Sequence, residues 1–148
     1  MIAVDTNLLV YAHRQDSPWH KKADSLIAKL AESLNPWAIA WPSIHEFLAI
    51  TTHPKIYNPP TPIHRALEQV ECWLEAPNLR LLGESVDYWP QLRVLIEISK
   101  ITGPMIHDAR IAALCLEHGV TELWSADRDF SRFTSLKVKN PLKGDSCN

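Results

Sequence analysis

Four acids in this chain stand where a carboxylate is costly to keep. Asp5 directly follows the apolar run Met1–Val4, Glu46 lies inside "SIHEFLAI", Asp108 opens the almost wholly apolar "PMIHDARIAALCLEHG", and Asp127 follows "ELWSA". Taken singly, each has an ordinary use. A carboxylate near a helix start is favoured by the helix dipole and the unpaired N–H groups there, and Asp127 or Asp5 would suit a turn. Taken together, they imply more. Carboxylates that converge repel one another, and the common remedy is a hard divalent cation with oxygen ligands, Mg²⁺ or in its place Mn²⁺. Such a centre activates water and stabilises charge on a phosphodiester without a covalent nucleophile.

The chain has seven histidines, and His45 and His107 sit directly beside two of the acids. Adjacent residues of a helix point about 100° apart, so neither histidine should share a site with its neighbour. His13, His20, His53, His64 and His118 show no metal-ligand spacing. The three cysteines, Cys72, Cys115 and Cys147, are odd in number and far apart, which suits neither a disulfide framework nor a zinc site and reads as reduced thiols. Trp37, Trp41, Trp73 and Trp124 fall on apolar faces and are expected in the core or an interface.

For the acids to meet, the elements carrying them must end at one edge. Apolar strand-like runs alternate with segments of helical period, the pattern of an α/β fold around a mostly parallel sheet. Strands are expected at Ile2–Val4, Trp37–Trp41, Leu79–Leu82 and Glu122–Ser125, with an edge strand in "LKVKNP". A helix should start at Ser17-Pro18 and bury Ala23, Leu26, Ile27, Leu30 and Leu34. A second should start at Pro42-Ser43 and carry Glu46 in its first turns. A third should bury Ile63, Ala66, Leu67, Val70 and Leu74, and a fourth should cover Trp89–Lys100. The most regular helix runs from Pro104 to Gly119, and its apolar surround marks it as buried. "THPKIYNPPTP" holds four of the eleven prolines and should be irregular. Asp5 and Asp127 then follow strands while Glu46 and Asp108 lie early in helices, so all four reach the carboxyl edge of a parallel sheet, where such folds bind ligands.

With 148 residues and 46% hydrophobic content, one domain over residues 1–140 is expected, followed by a short tail over 141–148. No stretch approaches the roughly 20 apolar residues of a membrane span, and the N-terminus lacks a secretory layout, so a cytoplasmic location and no membrane partner are expected. A formal charge of −2 gives no general attraction for nucleic acid, which would have to depend on a local patch or on bound cations.

"DTNLLVYA", "SIHEFLAI", "IHDARIAA" and "LWSADRDF", in this order and spacing, resemble the PIN-domain nucleases over nearly the whole chain. "THPKIYNPP" resembles the segment after the glutamate in the toxins of VapBC-type toxin–antitoxin pairs. The resemblance implies a three-layer α/β/α sandwich with a short, mostly parallel sheet. It implies an acidic quartet of Asp5, Glu46, Asp108 and Asp127 holding Mg²⁺, with Asn7 and Ser125 as polar helpers and Asp129 as an accessory acid. It further implies cleavage of RNA leaving a 5′-phosphate and a 3′-hydroxyl, a small antitoxin as partner, and a homodimer. A PIN nuclease of RNA processing and a silent PIN scaffold are the neighbouring alternatives. A phosphatase using Asp5 as nucleophile would want a second aspartate at position 7, where this chain has Asn7. A receiver domain would want a lysine at the late strand end, where Ser125 and Asp127 stand.

Overall fold

Among the described residues every strand is three or four residues long except the last, which has two, and each is placed by alternation of side chains across one sheet. The computed structural model describes residues 1–143. The strands are β1 (Ile2–Val4), β2 (Trp37–Ala40), β3 (Leu79–Leu82), β4 (Glu122–Trp124) and β5 (Val138–Lys139). They lie in the order β3-β2-β1-β4-β5, and all four pairings are parallel. The helices are α1 (Thr6–His13), α2 (His20–Glu32), α3 (Trp41–Thr51), α4 (Ile63–Leu74), α5 (Tyr88–Ser99) and α6 (Met105–Glu117), with a 3-10 turn at Arg128–Arg132.

Two hydrophobic clusters cover the two faces of the sheet, giving three layers, α/β/α. Val4, Trp37, Ile39 and Trp124 face α1, α2, α3 and α4. Ala3, Ala38, Ala40 and Leu123 face α5, α6 and the segment Phe130–Leu136. Within one strand the period is two, so a face of alanines lies back to back with a face of large residues. The alanine face decides where Asp108 goes. Ala109, Ala112 and Ala113 of α6 are fully buried in the same cluster as Ala3, Ala38 and Ala40, and small residues on both sides let helix and sheet approach closely. Ile111, Leu114 and Cys115, 0–2% exposed, fix the helix there. Burying such side chains stabilises by roughly 1.5–3 kcal/mol apiece.

Several expectations for the elements need correction. The residues after Asp5 form a helix, α1, where only a polar turn was foreseen; Leu8, Leu9 and Ala12 are its buried stripe. α2 begins at His20 and not at Ser17, whose hydroxyl accepts the Trp19 N–H in a preceding turn. Leu34 is 99% exposed, because the helix stops at Glu32 and the Asn78 side-chain amide donates to the carbonyls of Leu30, Ser33 and Asn35 beyond it. Trp41 is the first residue of α3, not a strand residue, and is 40% exposed. On α4, Ala66 and Val70 are buried as expected, but Ile63, Leu67 and Leu74 are 57%, 47% and 40% exposed. The proline-rich connection is irregular, and its far end returns to its start through the Thr61 N–H donating to the Thr51 carbonyl at 2.8 Å.

Leu142 is buried beside α2, where Lys22 donates to its carbonyl at 2.8 Å. The rest of the expected tail from residue 144 lies outside the described residues. Among the described residues no helix is long and apolar enough to cross a membrane.

Candidate active site

The pairing of β1 with β4 does not stop at Val4. The Asp5 N–H donates to the Trp124 carbonyl at 2.9 Å, so Asp5 leaves the sheet still tied to β4 and becomes the residue before α1. It stands at the N-cap, yet its side chain makes no capping hydrogen bond. Its Oδ2 instead accepts from the Ser125 hydroxyl at 2.7 Å and from the Asn7 side-chain amide at 3.3 Å. The simple turn-cap explanation of Asp5 fails on this point.

Ser125 is 2% exposed, and its hydroxyl is saturated. It accepts from the Asn7 Nδ2 at 3.3 Å and from the Asp127 N–H at 3.0 Å. Both partners are obligate donors, so the single hydroxyl proton must point to Asp5. Asn7 in turn accepts the Ala126 N–H through Oδ1 at 3.1 Å. Asp5, Asn7 and Ser125 therefore form one polar unit that joins β1 and α1 to the end of β4.

Glu46 lies in the second turn of α3, half-buried, and its Oε2 accepts the Thr6 hydroxyl at 2.8 Å. Thr6 is 5% exposed. In a segment expected to be a turn, Thr6 has no role and does not stand among the expected helpers Asn7 and Ser125. The usable signal was the spacing of Leu8, Leu9 and Ala12, which makes α1 a helix and puts Thr6 in its first turn, facing inward.

Asp108 is the fourth residue of α6 and is half-buried. Asp127 precedes the 3-10 turn, and its Oδ1 accepts the Asp129 N–H at 2.9 Å. The turn explanation is thus correct for one oxygen of Asp127. The carboxylates of Asp108, Asp127 and Asp129 each place an oxygen within 4.8 Å of the other two. Asp129, expected only as an accessory, belongs to this tight group, whereas Asp5 and Glu46 stand outside it, each held by a hydroxyl.

No lysine or arginine pairs with any of these acids among the described residues. Arg110, close in sequence to Asp108, lies 3.9 Å from Glu84. The carboxyl groups respond accordingly. Burial pushes Asp5 up to about 7, against the opposing hydrogen bond from Ser125, with Glu46 and Asp127 adding repulsion. Asp108 is raised to about 6 by burial and by the charges of Asp127, Asp129 and Glu46. An oxygen-only donor set of this kind, short of cations, suits a small hard divalent ion. His45 and His107 are exposed and neither forms a hydrogen bond with the acids among the described residues, although the charge of His107 slightly opposes the upward push on Asp108.

The PIN domain family matches residues 2–136. This chain belongs to the PIN-domain family. Within that family its relatives are of the VapC kind. Ribonuclease VapC48 of Mycobacterium tuberculosis (strain ATCC 25618 / H37Rv) is 31% identical over 140 residues, covering 95% of this chain and 97% of the relative. Ribonuclease VapC43 of the same strain is 35% identical over 144 residues, 97% of each chain. Among solved structures, the PIN fold recurs in VapBC2 from Rickettsia felis, bound to a DNA fragment from their promoter, with a TM-score of 0.62 at 21% identity over 94% of this chain and 98% of that one.

Proposed function

We propose that this PIN-domain chain is a metal-dependent endoribonuclease, the toxin of a type II toxin–antitoxin pair. The observation that carries the reading is the gathering of Asp5, Glu46, Asp108, Asp127 and Asp129 at one sheet edge with no cationic side chain to neutralise them. The VapC relatives named ribonucleases, matched over almost their whole length, supply the substrate class.

In this reading Asp5, Glu46, Asp108 and Asp127 hold the ion, with Asp129 completing the open side. Mg²⁺, or Mn²⁺ in its place, when bound polarises a phosphoryl oxygen and lowers the pKa of water. The chain's own part is to fix the ligands. Ser125 and Asn7 leave Asp5 one oxygen, Oδ1, without a side-chain donor. Thr6 does the same for Glu46, whose Oε1 is left over. Ligand carboxylates oriented by such outer contacts lose less freedom on binding the ion.

Two partners follow. The acidic groove suits an antitoxin arm that inserts a basic side chain and neutralises the carboxylates in place of the metal. VapBC2, solved as an assembly, is structurally similar. The exposed apolar residues Val94 and Ile98, four apart on α5, offer a face for a second copy of the chain. The test is RNA cleavage by the purified chain with Mg²⁺ and with chelator, and then with the neighbouring gene product co-expressed. Cleavage is expected only with Mg²⁺ and without that partner, leaving 5′-phosphate ends. A chain that cuts no RNA with Mg²⁺ or Mn²⁺ would overturn the reading.

A further inference from the structure

A second cleft opens beside the acids, at the carboxyl ends of β4 and β5. Its volume is about 310 Å³, and Asp127 is part of its wall. Phe133 and Leu136, 1% and 6% exposed, and half-buried Val138 make its floor apolar. Arg128 and Lys143 line it as well, both exposed, and neither forms an ion pair among the described residues. The cleft thus has an acidic wall shared with the metal-binding group, a cationic rim and an apolar floor.

That combination bears on a difficulty of the proposed reaction. RNA is a polyanion, the chain carries a formal charge of −2, and the groove where cleavage occurs is lined by carboxylates. An anionic strand must then be held by cations next to the groove, because phosphate contacts supply most of the affinity. Arg128 follows Asp127 directly and lines the same cleft, which puts a cationic side chain beside the acidic group. The volume lies at the small end of the range for ligand sites, enough for one nucleotide and too small for a duplex. Sequence-specific RNA recognition is mostly of this kind, an unpaired base turned out of its strand into a pocket.

We propose that this cleft binds one unpaired nucleotide of the RNA substrate, next to the bond that is cut, with Arg128 and Lys143 on its phosphate and its base against Phe133, Leu136 and Val138. The assignment rests on the ribonuclease reading and extends it, since it names where the substrate is read. The cleft selects the nucleotide, and the acids cut beside it.

The test compares the parent with Lys143→Gln and Thr134→Trp, using an RNA hairpin with a randomised loop and sequencing of the cut ends. Thr134 is exposed in the lining, so an indole there would fill the cleft while leaving the core untouched. Lys29→Gln, at the opposite ends of the strands, removes the same charge elsewhere and serves as control. Lys143→Gln is expected to raise KM roughly three- to tenfold, the loss falling on KM and not kcat, and to lower the salt dependence of binding by about 0.7 in log–log slope. Thr134→Trp is expected to flatten the base preference at one position beside the cut while preferences elsewhere persist. Lys29→Gln should behave as the parent. If the parent cuts and both cleft variants keep its KM, salt slope and base preference, the cleft is not a nucleotide site and the ribonuclease reading stands. Equal losses in Lys143→Gln and Lys29→Gln would also overturn it, by showing general charge. A parent that cuts nothing would sink both readings together.

Discussion

The acidic edge has two halves built on different principles. On one side Asp5 and Glu46 are each tied by a buried hydroxyl, Asp5 to Ser125 and Glu46 to Thr6, and Asp5 is only 4% exposed. On the other, Asp108, Asp127 and Asp129 gather their oxygens within 4.8 Å and open to solvent, with Asp129 exposed. The tied half spends one oxygen of each carboxylate inside the protein and keeps the other. The open half has most of its capacity left over. A site that must both hold a cation and let a phosphodiester in needs the two together: fixed ligands that cannot swing away, and open ligands that a substrate can approach.

The largest effect should come from the open half. Asp108→Asn should reduce RNA cleavage to background at any Mg²⁺ concentration, because an amide cannot supply the ligand's charge, whereas His107→Ala should keep at least about a tenth of the rate. Initial rates over a Mg²⁺ titration distinguish them. Comparable losses in both would mean that the start of α6 was disturbed as a whole, and the distinction between ligand and neighbour would collapse.

Next in size is the tie on Glu46. Thr6→Val keeps the shape of the side chain and removes the hydroxyl, so Glu46 is free to rotate. Mn²⁺ affinity, read by electron paramagnetic resonance, should fall about 10- to 100-fold, the range for outer-contact partners of metal ligands. Thr6→Ser should restore most of it. If valine binds Mn²⁺ as well as threonine does, the hydroxyl is a packing detail and the tied half is not tied for the metal's sake.

The difference between the halves also explains what could be read from the sequence. The strands, a mostly parallel sheet and the buried α6 were legible because alternation and helical period are local properties of the chain, whereas the strand order β3-β2-β1-β4-β5 was not. All four acids were legible for the same reason: each sits at the end of a strand or early in a helix, where polarity interrupts an apolar pattern. What was not legible depended on contacts between distant segments. Thr6 acquires its role only through Glu46, forty residues on. Leu34 fits the periodic stripe of α2 but is left outside because Asn78, from another connection, terminates the helix. Ile63, Leu67 and Leu74 continue the apolar period of α4, yet among the described residues no element covers the face they form. Periodicity reports an apolar stripe and not what covers it.

A smaller effect concerns stability without metal, and its sign follows from the direction of the Asp5 shift. An unfolded aspartate loses its proton near pH 4, whereas folded Asp5 keeps its proton up to about 7. Between these values the folded state binds more protons, so metal-free stability should fall as pH rises from about 4 to about 7 and level off above. Asp108, raised to about 6, adds to the slope below that value, so Asp5→Asn, which retains an oxygen to accept from Ser125 and Asn7 but cannot ionise, should abolish the slope between about 6 and 7 and reduce it below. Two carboxylates about 8 Å apart at an effective dielectric near 20 repel by roughly 2 kcal/mol before screening. Relief of about 1 kcal/mol should raise the Tm in chelator at pH 8 by about 3 °C for a chain of this size. Added Mg²⁺ should narrow or reverse the gap, since it stabilises the parent by binding the folded state. A gap of either sign that ignores both pH and Mg²⁺ would remove Asp5 from the metal site.

The smallest effect should be at Asp129, and it tests whether the open trio acts as a unit. Asp129 is exposed, so its charge is screened by solvent and salt, and its N–H already anchors Asp127 through the Oδ1 contact of 2.9 Å. Asp129→Asn keeps that N–H and removes only the third carboxylate. Mn²⁺ affinity should therefore weaken only a few-fold, and the loss should grow as ionic strength is lowered, where an exposed charge counts for more. Asp129→Pro removes the N–H as well and lets Asp127 turn, so it should lose far more than asparagine does. The ratio of the two losses separates the direct charge of Asp129 from its hold on Asp127. Equal and large losses would make the anchoring irrelevant and Asp129 a ligand on a par with Asp108. Equal and negligible losses would reduce the open half to Asp108 and Asp127 alone, leaving the tied half with the larger share of the cation.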